Sequence, residues 1–515
     1  MSDKTNILLI STDQQHFNAL GAVNSDIKTP NLDRLCREGT RFNRAYCPSP
    51  VCTPSRASMI TGLYPSHHGA WTIGVKLDEN VDTIGSKLSA AGYQTGLIGK
   101  AHFQPLASRP GSESLEAQPT LRDLDFWRNF HGPWYGFDHI ELSRNHADES
   151  HVGQHYAIWL EEQGLMNWRD YFQPLPGESA KHAPDTGTGL PYWAREQRHW
   201  ELPENLHYTR WTAERSLAFI DKHAAAEKPF FLWSSFHDPH PPYVVPEPWA
   251  SMYKPEDMNP GQLVPGEHDR NGPHFAKTQE TNPDFGQWHT PFEAHGCGSH
   301  LYSMDALRKD MAIYYGMMSF VDQQVGRILD RLDELGIADN TLLVFTTDHG
   351  HFLGQHGLVA KGPFHYEDML RIPMIVRWPG KVPEGKVSEA IQSLVDLTPS
   401  FMDAAELGAP DDLQGISQIP VWTGEKSEVR DFALCENRHN PHMPHLVTYI
   451  GKRYKITVYK EGEFGELFDL ETDPDELQNL WDLPSAANIK KALLQDFVQG
   501  LLKSEPMSMP RIAHA

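Results

Sequence analysis

Apolar residues fall into two rhythms along this chain, and the alternation between them outlines a fold. Ile7-Leu8-Leu9-Ile10 is a short continuous apolar run that predicts a fully buried strand over residues 6–11, ending at Thr12-Asp13-Gln14. Helical spacing follows over 31–38, closed by Gly39, and over 81–91, closed by Gly92. A second strand over 93–98 then delivers Gly99-Lys100-Ala101-His102. The same alternation returns later, with a helix over 205–226 and a strand over 229–236 that runs into His237-Asp238-Pro239-His240-Pro241-Pro242. A long helix over 304–335 stops at Gly336, and a strand over 341–347 enters Asp348-His349-Gly350-His351. A strand over 372–377 and a helix over 397–405 complete the series. Strands alternating with helices predict an α/β fold with a mainly parallel sheet.

Beyond residue 425 the rhythm changes. Strand-like pieces over 453–459 and 465–470, with a last helix over 488–503, predict a small antiparallel sheet. The expected division is therefore a large domain over 1–424 and a small α+β domain over 425–515. Two stretches, 104–200 and 255–300, lose periodicity and read as insertions. The first carries Trp127, Trp134, Trp159, Trp168, Trp193 and Trp200. Long loops at strand carboxyl ends are where such folds select substrates, although each tryptophan could equally anchor an irregular loop.

At 515 residues, with 39% hydrophobic and 22% charged content, the chain is long and apolar enough for a large core. A formal charge of −23 opposes nucleic acid and anionic membrane as partners, so an anionic substrate needs a local cationic pocket. No segment has the roughly 20 apolar residues that cross a bilayer, and the opening apolar run is too short and too early for a secretion signal. These features predict a cytoplasmic protein. Oligomeric state leaves no trace in the sequence. Cys36, Cys47, Cys52, Cys297 and Cys435 are odd in number and scattered, which excludes a disulfide framework or a zinc cluster as the expectation.

Candidate chemistry begins at the strand ends. Asp13 and Asp348 each close a buried strand, and Gln14 and His349 follow them. Carboxyl ends of parallel strands converge on one edge, so two carboxylates, an amide oxygen and an imidazole could meet there and suit Ca²⁺, Mg²⁺ or Mn²⁺. An aspartate at a strand end serves as often as a helix cap or a turn residue. Pro50-Val51-Cys52-Thr53-Pro54-Ser55-Arg56 reads as a loop entering a helix, with Cys52 at the amino terminus and Arg56 one turn along the same face. That geometry suits an anion, and equally a buried structural cysteine.

Cys52-Thr53-Pro54-Ser55-Arg56, extended by Ala57-Ser58 and Thr61-Gly62, resembles the signature of type I, formylglycine-dependent sulfatases, members of the alkaline-phosphatase-like superfamily. The resemblance continues in order through Gly99-Lys100-Ala101-His102, Pro239-His240-Pro241-Pro242, and Lys361 after Gly354-Gln355-His356-Gly357. It closes on Glu466-Leu467-Phe468-Asp469-Leu470 and covers essentially the whole chain apart from the two irregular stretches.

The resemblance implies an alkaline-phosphatase-like fold and a cation, Ca²⁺ or Mn²⁺ with Mg²⁺ as a further candidate, held by Asp13, Gln14, Asp348, His349 and the modified Cys52. It implies that a formylglycine-generating enzyme converts Cys52 to an aldehyde. One hydroxyl of the hydrate then attacks sulfur, and the other expels sulfate. Arg56 would orient the nucleophile, and Lys100 and Lys361 would stabilise sulfate oxygens. His240 would protonate the leaving oxygen of a small anionic ester, and His102 would act as base. Gln14 and His349 stand where many relatives have Asp and Asn. They keep open a phosphonate monoester or phosphodiester hydrolase of the same superfamily, and a noncatalytic anion-binding protein with unmodified Cys52 is the remaining alternative.

Overall fold

The computed structural model describes residues 4–144, 152–174, 179–182, 200–281, 299, 302–410, 412–438 and 444–506. Its strands are β1 (Asn6–Thr12), β2 (Thr40–Tyr46), β3 (Gln94–Gly99), β4 (His139–Leu142), β5 (Phe230–Ser235) and β6 (Thr341–Thr347). They continue with β7 (Phe352–Leu353), β8 (Val359–Ala360), β9 (Arg371–Arg377), β10 (Lys386–Ser388) and β11 (Gln392–Ser393), and then β12 (Ala433–Asn437), β13 (Leu446–Ile450), β14 (Tyr454–Tyr459) and β15 (Gly465–Asp469).

A nine-stranded sheet runs in the order β10-β2-β9-β6-β1-β5-β3-β4, with β11 also against β2. Only β9 runs antiparallel to its neighbours, β2 and β6. The central strands read as continuous apolar runs because helices cover both faces of the sheet. Ile7, Leu9, Phe231, Trp233 and Val344 face one core, and Leu8, Ile10, Leu232 and Phe345 face the other. Helices Met304–Glu334 and Tyr208–Ala225 pack together over the second face. The architecture is the expected mixed, mainly parallel sheet flanked by helices.

Register aligns the strand ends. Thr12 pairs with Thr347, Ser11 with Ser235, and Gly99 with Ser235. The segments after β1, β3, β5 and β6 therefore leave the sheet at one level, which is what brings distant sequence motifs together.

The structure corrects several expectations. The helix expected from residue 81 starts at Ile84, because Thr83 caps it through a reciprocal box with Ser86. The 104–200 stretch contributes to the sheet: β4 pairs in parallel with β3 at its edge, between helices Leu124–Asn129 and Gln154–Glu162. Four residues with polar His139 and Glu141 among them are too few to show a period. Its described tryptophans are core residues. Trp127 and Trp134 join the main core, while Trp159, Trp168 and Trp200 build a satellite core with Tyr156, Tyr208 and Trp211. Trp193 and Cys297 lie outside the described residues. The expectation of an aromatic binding surface on the described tryptophans gives way to packing.

The carboxyl-terminal part is a four-stranded antiparallel sheet, β12-β13-β14-β15, with helix Ala487–Lys503 on one face through Leu493 and Phe497. Its other face, with Cys435, Ile450 and Phe468, merges into the main core. We propose the boundary near 424/425, just ahead of β12. No helix among the described residues is long and apolar enough to cross a membrane.

Gly99, where β3 hands over to Lys100, has φ +106°, and a Cβ there would lie 1.9 Å from the Ser235 carbonyl oxygen. Only glycine allows β3 and β5 to stay in register at this point. Gly99→Ala should therefore lose more than about 3 kcal/mol of unfolding free energy, measured by urea denaturation; a loss under about 1 kcal/mol would contradict this account of the motif.

Candidate active site

At the end of β1 the backbone turns sharply: Gln14 has φ 61°, left-handed for a residue with a side chain. Two contacts hold the turn. The Gln14 N–H donates to Asp348 Oδ1 at 2.9 Å, and the Tyr314 hydroxyl donates to the Gln14 carbonyl at 3.0 Å. From β6, Asp348 also accepts the His349 N–H at 2.9 Å. Helix Cys52–Thr61 is buried along its entire length, begins without a side-chain cap, and ends on Gly62 in the left-handed region. Cys52 thus stands at a helix amino terminus whose N–H groups favour negative charge. Ser55 Oγ ties this turn to the Asp348 carbonyl at 2.5 Å.

Nine of the ten residues singled out in sequence meet in one chain of contacts. Cys52 Sγ lies 3.2 Å from His349 Nε2, 3.0 Å from Lys361 Nζ and 3.8 Å from Asp13 Oδ1. Arg56 Nε donates to Asp348 Oδ2 at 2.8 Å, and its Nη2 to Asp13 Oδ2 at 3.2 Å. Its Nη1 reaches the Lys100 carbonyl and Ser235 Oγ, both at 2.9 Å. Lys100 Nζ is 2.5 Å from Asp13 Oδ2, and Lys361 Nζ is 3.2 Å from His240 Nε2. The Arg56 fork is thus occupied by the two carboxylates and a carbonyl.

The tenth residue, His102, follows Lys100 closely and is buried, with both ring nitrogens lacking a hydrogen-bond partner among the described residues. Burial first, then the charges of Arg144, Lys100, Arg56 and Lys361, hold its pKa well below the ordinary imidazole range. Opposite influences meet at Cys52. Burial and Asp13 push its thiol up, but Lys361 and His349 leave it below its ordinary value.

Asp13, Cys52, Asp348 and His349 each offer a ligand atom, all within 4.8 Å of one another. Gln14 Oε1 is buried with no hydrogen-bond partner among the described residues, an orphan acceptor of the kind a cation satisfies. Carboxylate and amide oxygens with one imidazole fit a hard or borderline divalent cation.

Other residues around the site escaped sequence reasoning. Glu116 accepts the N–H groups of His102 at 2.9 Å and Gln104 at 2.7 Å, fixing the loop after β3. Arg144, buried at the end of β4, faces Glu116 Oε1 from 3.6 Å. Asp238 accepts from Tyr208 at 3.0 Å and from Thr209, anchoring the segment that carries His240. Glu116 and Arg144 lie in the stretch without periodicity, so no pattern marked them.

The loop bearing Lys361 is braced separately. His356 Nε2 lies 3.4 Å from Asp368 and its Nδ1 3.5 Å from Glu267, while Asp368 also meets His16 at 2.8 Å. Burial pulls the His356 pKa down, but the two carboxylates outweigh it and raise it to about 9.

Strand ends that gather a buried cysteine, two carboxylates and several cations above a mainly parallel sheet define a hydrolase of the alkaline-phosphatase-like class. A family model described as Sulfatase matches residues 5–407, and one described as N-sulphoglucosamine sulphohydrolase, C-terminal, matches 354–502. The chain belongs to the sulfatase family and is an enzyme of that hydrolase class. It is 31% identical over 485 residues to an arylsulfatase of Clostridium perfringens (strain 13 / Type A), covering 93% of this chain and 90% of that one. It is 28% identical to the multifunctional alkaline phosphatase superfamily protein PehA of Trinickia caryophylli, over 97% of this chain and 95% of that one. The crystal structure of a phosphonate monoester hydrolase of Agrobacterium radiobacter superposes with a TM-score of 0.77 at 25% identity, covering 99% and 98% of the two chains.

Two predictions follow from these contacts. Arg56→Met leaves two carboxylates facing each other without their shared partner, and in chelator it should cost at least about 3 kcal/mol; chemical denaturation of both proteins tests this. Because the His356 pKa is raised on folding, its contribution is complete below the unfolded value near 6.5 and fades as pH rises through about 9. The stability difference between wild type and His356→Gln should therefore be roughly 3 kcal/mol near neutrality and shrink towards pH 10. A difference that stays flat with pH would rule out the charged imidazole as its source.

Proposed function

We propose that this enzyme hydrolyses a sulfate monoester to an alcohol or phenol and inorganic sulfate, using formylglycine derived from Cys52. The observation that carries the reading is the Cys52 thiol enclosed between His349 Nε2 at 3.2 Å and Lys361 Nζ at 3.0 Å, at the start of a buried helix. A cysteine so enclosed must be oxidised before the fold closes over it, which fits maturation by a formylglycine-generating enzyme acting on the extended chain. Asp13, Gln14, Asp348, His349 and the Cys52-derived oxygen would hold a divalent cation, Ca²⁺ or Mn²⁺ with Mg²⁺ as a further candidate. Together the hydrated aldehyde and the cation would supply an activated oxygen nucleophile and a way to release the product, where a plain thiol would end in a stable adduct.

The chain's own groups do the rest. Arg56 holds Asp13 and Asp348 together by hydrogen bonding to both. Lys361, with its ammonium 3.0 Å from Cys52 Sγ, and Lys100, held 2.5 Å from Asp13, would stabilise negative charge on the oxygens of the transferred group. His240 Nδ1 donates to the Pro241 carbonyl at 2.5 Å, so Nε2 accepts from Lys361 Nζ at 3.2 Å, and a proton passed from that ammonium through Nε2 would reach the leaving oxygen. His102 is assigned the proton taken up when the product leaves, and burial and four cations keep it neutral until then.

The likeness to a phosphonate monoester hydrolase supports a second reading, hydrolysis of a phosphonate monoester or phosphodiester at the same site. Mass spectrometry of the Cys52 peptide from protein made in its native host, with kcat/KM measured on an aryl sulfate and on the matching phenylphosphonate ester, tests both. The expected result is an aldehyde at Cys52, a higher kcat/KM for the sulfate, and loss of at least about 10³-fold in Cys52→Ala. A higher value for the phosphonate would install the second reading. A uniformly unmodified thiol with no turnover would sink both and favour anion binding alone.

A further inference from the structure

An aspartate presents oxygen to a cation whichever way its carboxylate turns, but the amide of Gln14 has an oxygen end and an N–H₂ end. Only the oxygen end can ligate; the other repels positive charge. Something must therefore choose between the two orientations. Gln14 Nε2 lies 2.7 Å from His351 Nδ1, and His351 Nε2 lies 2.5 Å from the Tyr243 hydroxyl. The imidazole stacks on Tyr314 with ring centroids 5.1 Å apart and planes 10° apart, and the hydroxyl of that same Tyr314 donates to the Gln14 carbonyl. All four side chains are buried. Three separate segments thus converge around Gln14 and His351: the turn after β6, the segment after β5 that also carries His240, and helix Met304–Glu334.

We propose that His351 is a positioning residue that holds Gln14 by its nitrogen end and so turns Oε1 toward the cation, with Tyr243 fixing the imidazole. The inference rests on the reading of Asp13, Gln14, Asp348 and His349 as metal ligands. It explains why Gln14 Oε1 is the end left without a hydrogen-bond partner. It also separates two roles that burial alone would confuse. A packing residue would matter equally whatever stands at position 14, whereas a residue that orients an amide loses its purpose once that amide becomes a carboxylate with two equivalent ends.

A double-mutant cycle read by calorimetric titration of chelator-stripped protein with Mn²⁺ makes that distinction. His351→Phe should weaken Mn²⁺ binding by about 10- to 100-fold, the usual effect of losing a partner that orients a metal ligand. His351→Leu is measured beside it, so that a folding defect in one variant does not remove the test. His351→Gln, which keeps an oxygen acceptor for the Gln14 N–H₂ group, should recover most of the loss. In a Gln14→Glu background the same His351→Phe change should cost less than about threefold. Equal losses in both backgrounds, or no loss with Gln14 present, would overturn the positioning role while leaving the metal site standing. A wild-type protein that binds no Mn²⁺ or Ca²⁺ would overturn the metal reading and this inference together.

Discussion

Asp13 and Asp348 come from strands whose registers bring their ends level, and both are wholly buried. Two carboxylates in that position repel each other and have lost their water, a cost of several kcal/mol per ion unless opposite charge stands close by. Arg56 meets the need with one planar group: Nε to one carboxylate and Nη2 to the other, with Nη1 tied to the Lys100 carbonyl. The contact fixes the relative position of β1, β3, β6 and helix Cys52–Thr61 at once. Lysine could not replace it, since a single ammonium lacks the fork that spans two acceptors and a carbonyl. Gly99 serves the same junction from the backbone side, letting β3 approach β5 closely enough for the Lys100 carbonyl to reach the guanidinium.

Much of this was legible in sequence because the residues concerned follow rules that act locally. Strands β1, β5 and β6 are apolar without interruption because both their faces are covered, and each breaks into polar residues where the sheet ends. Helix Met304–Glu334 shows its period over many turns, so its ends were placed closely. β4 was missed because an edge strand of four residues carries no period, and the strand pieces β2, β12 and β13 alternate too weakly or too briefly to stand out. The tryptophans left two readings open for a different reason. A cluster of large aromatics in an aperiodic stretch fits a binding surface and a satellite core equally well, and only tertiary packing around Tyr156, Trp200 and Trp211 decides for the core.

The candidate site was legible as a set of residue types, yet its wiring was not. Sequence placed Arg56 one turn from Cys52 and suggested that it faces the nucleophile; its hydrogen bonds run instead to the carboxylates behind it. Glu116 organises the loop of His102 through backbone N–H groups, contacts that depend on loop geometry and leave no spacing rule. His351 stood in plain view beside His349, but its link to Gln14 spans 337 positions and emerges only when β1 and β6 pair. Side chains that act through other side chains are set by topology, and a single sequence carries topology only indirectly.

Charge explains how a chain with formal charge −23 can draw in an anionic ester, and why charge alone does not choose between esters. Long-range repulsion is overcome locally, since Arg56, Lys100 and Lys361 gather around Asp13, Asp348 and Cys52, and a divalent cation would add positive charge there. Gln14, neutral where a carboxylate would subtract from that charge, keeps it larger. A sulfate monoester, a phosphonate monoester and a phosphodiester all present one negative charge at neutral pH, so the same field attracts each of them. Discrimination must then arise from bond polarity at the transferred atom and from the groups that meet the rest of the substrate. Arg144, buried and 3.6 Å from a Glu116 already engaged by two backbone N–H groups, adds a further cation beside His102. Selectivity is therefore best sought where the ends of β3 and β4 come together, away from Asp13 and Asp348.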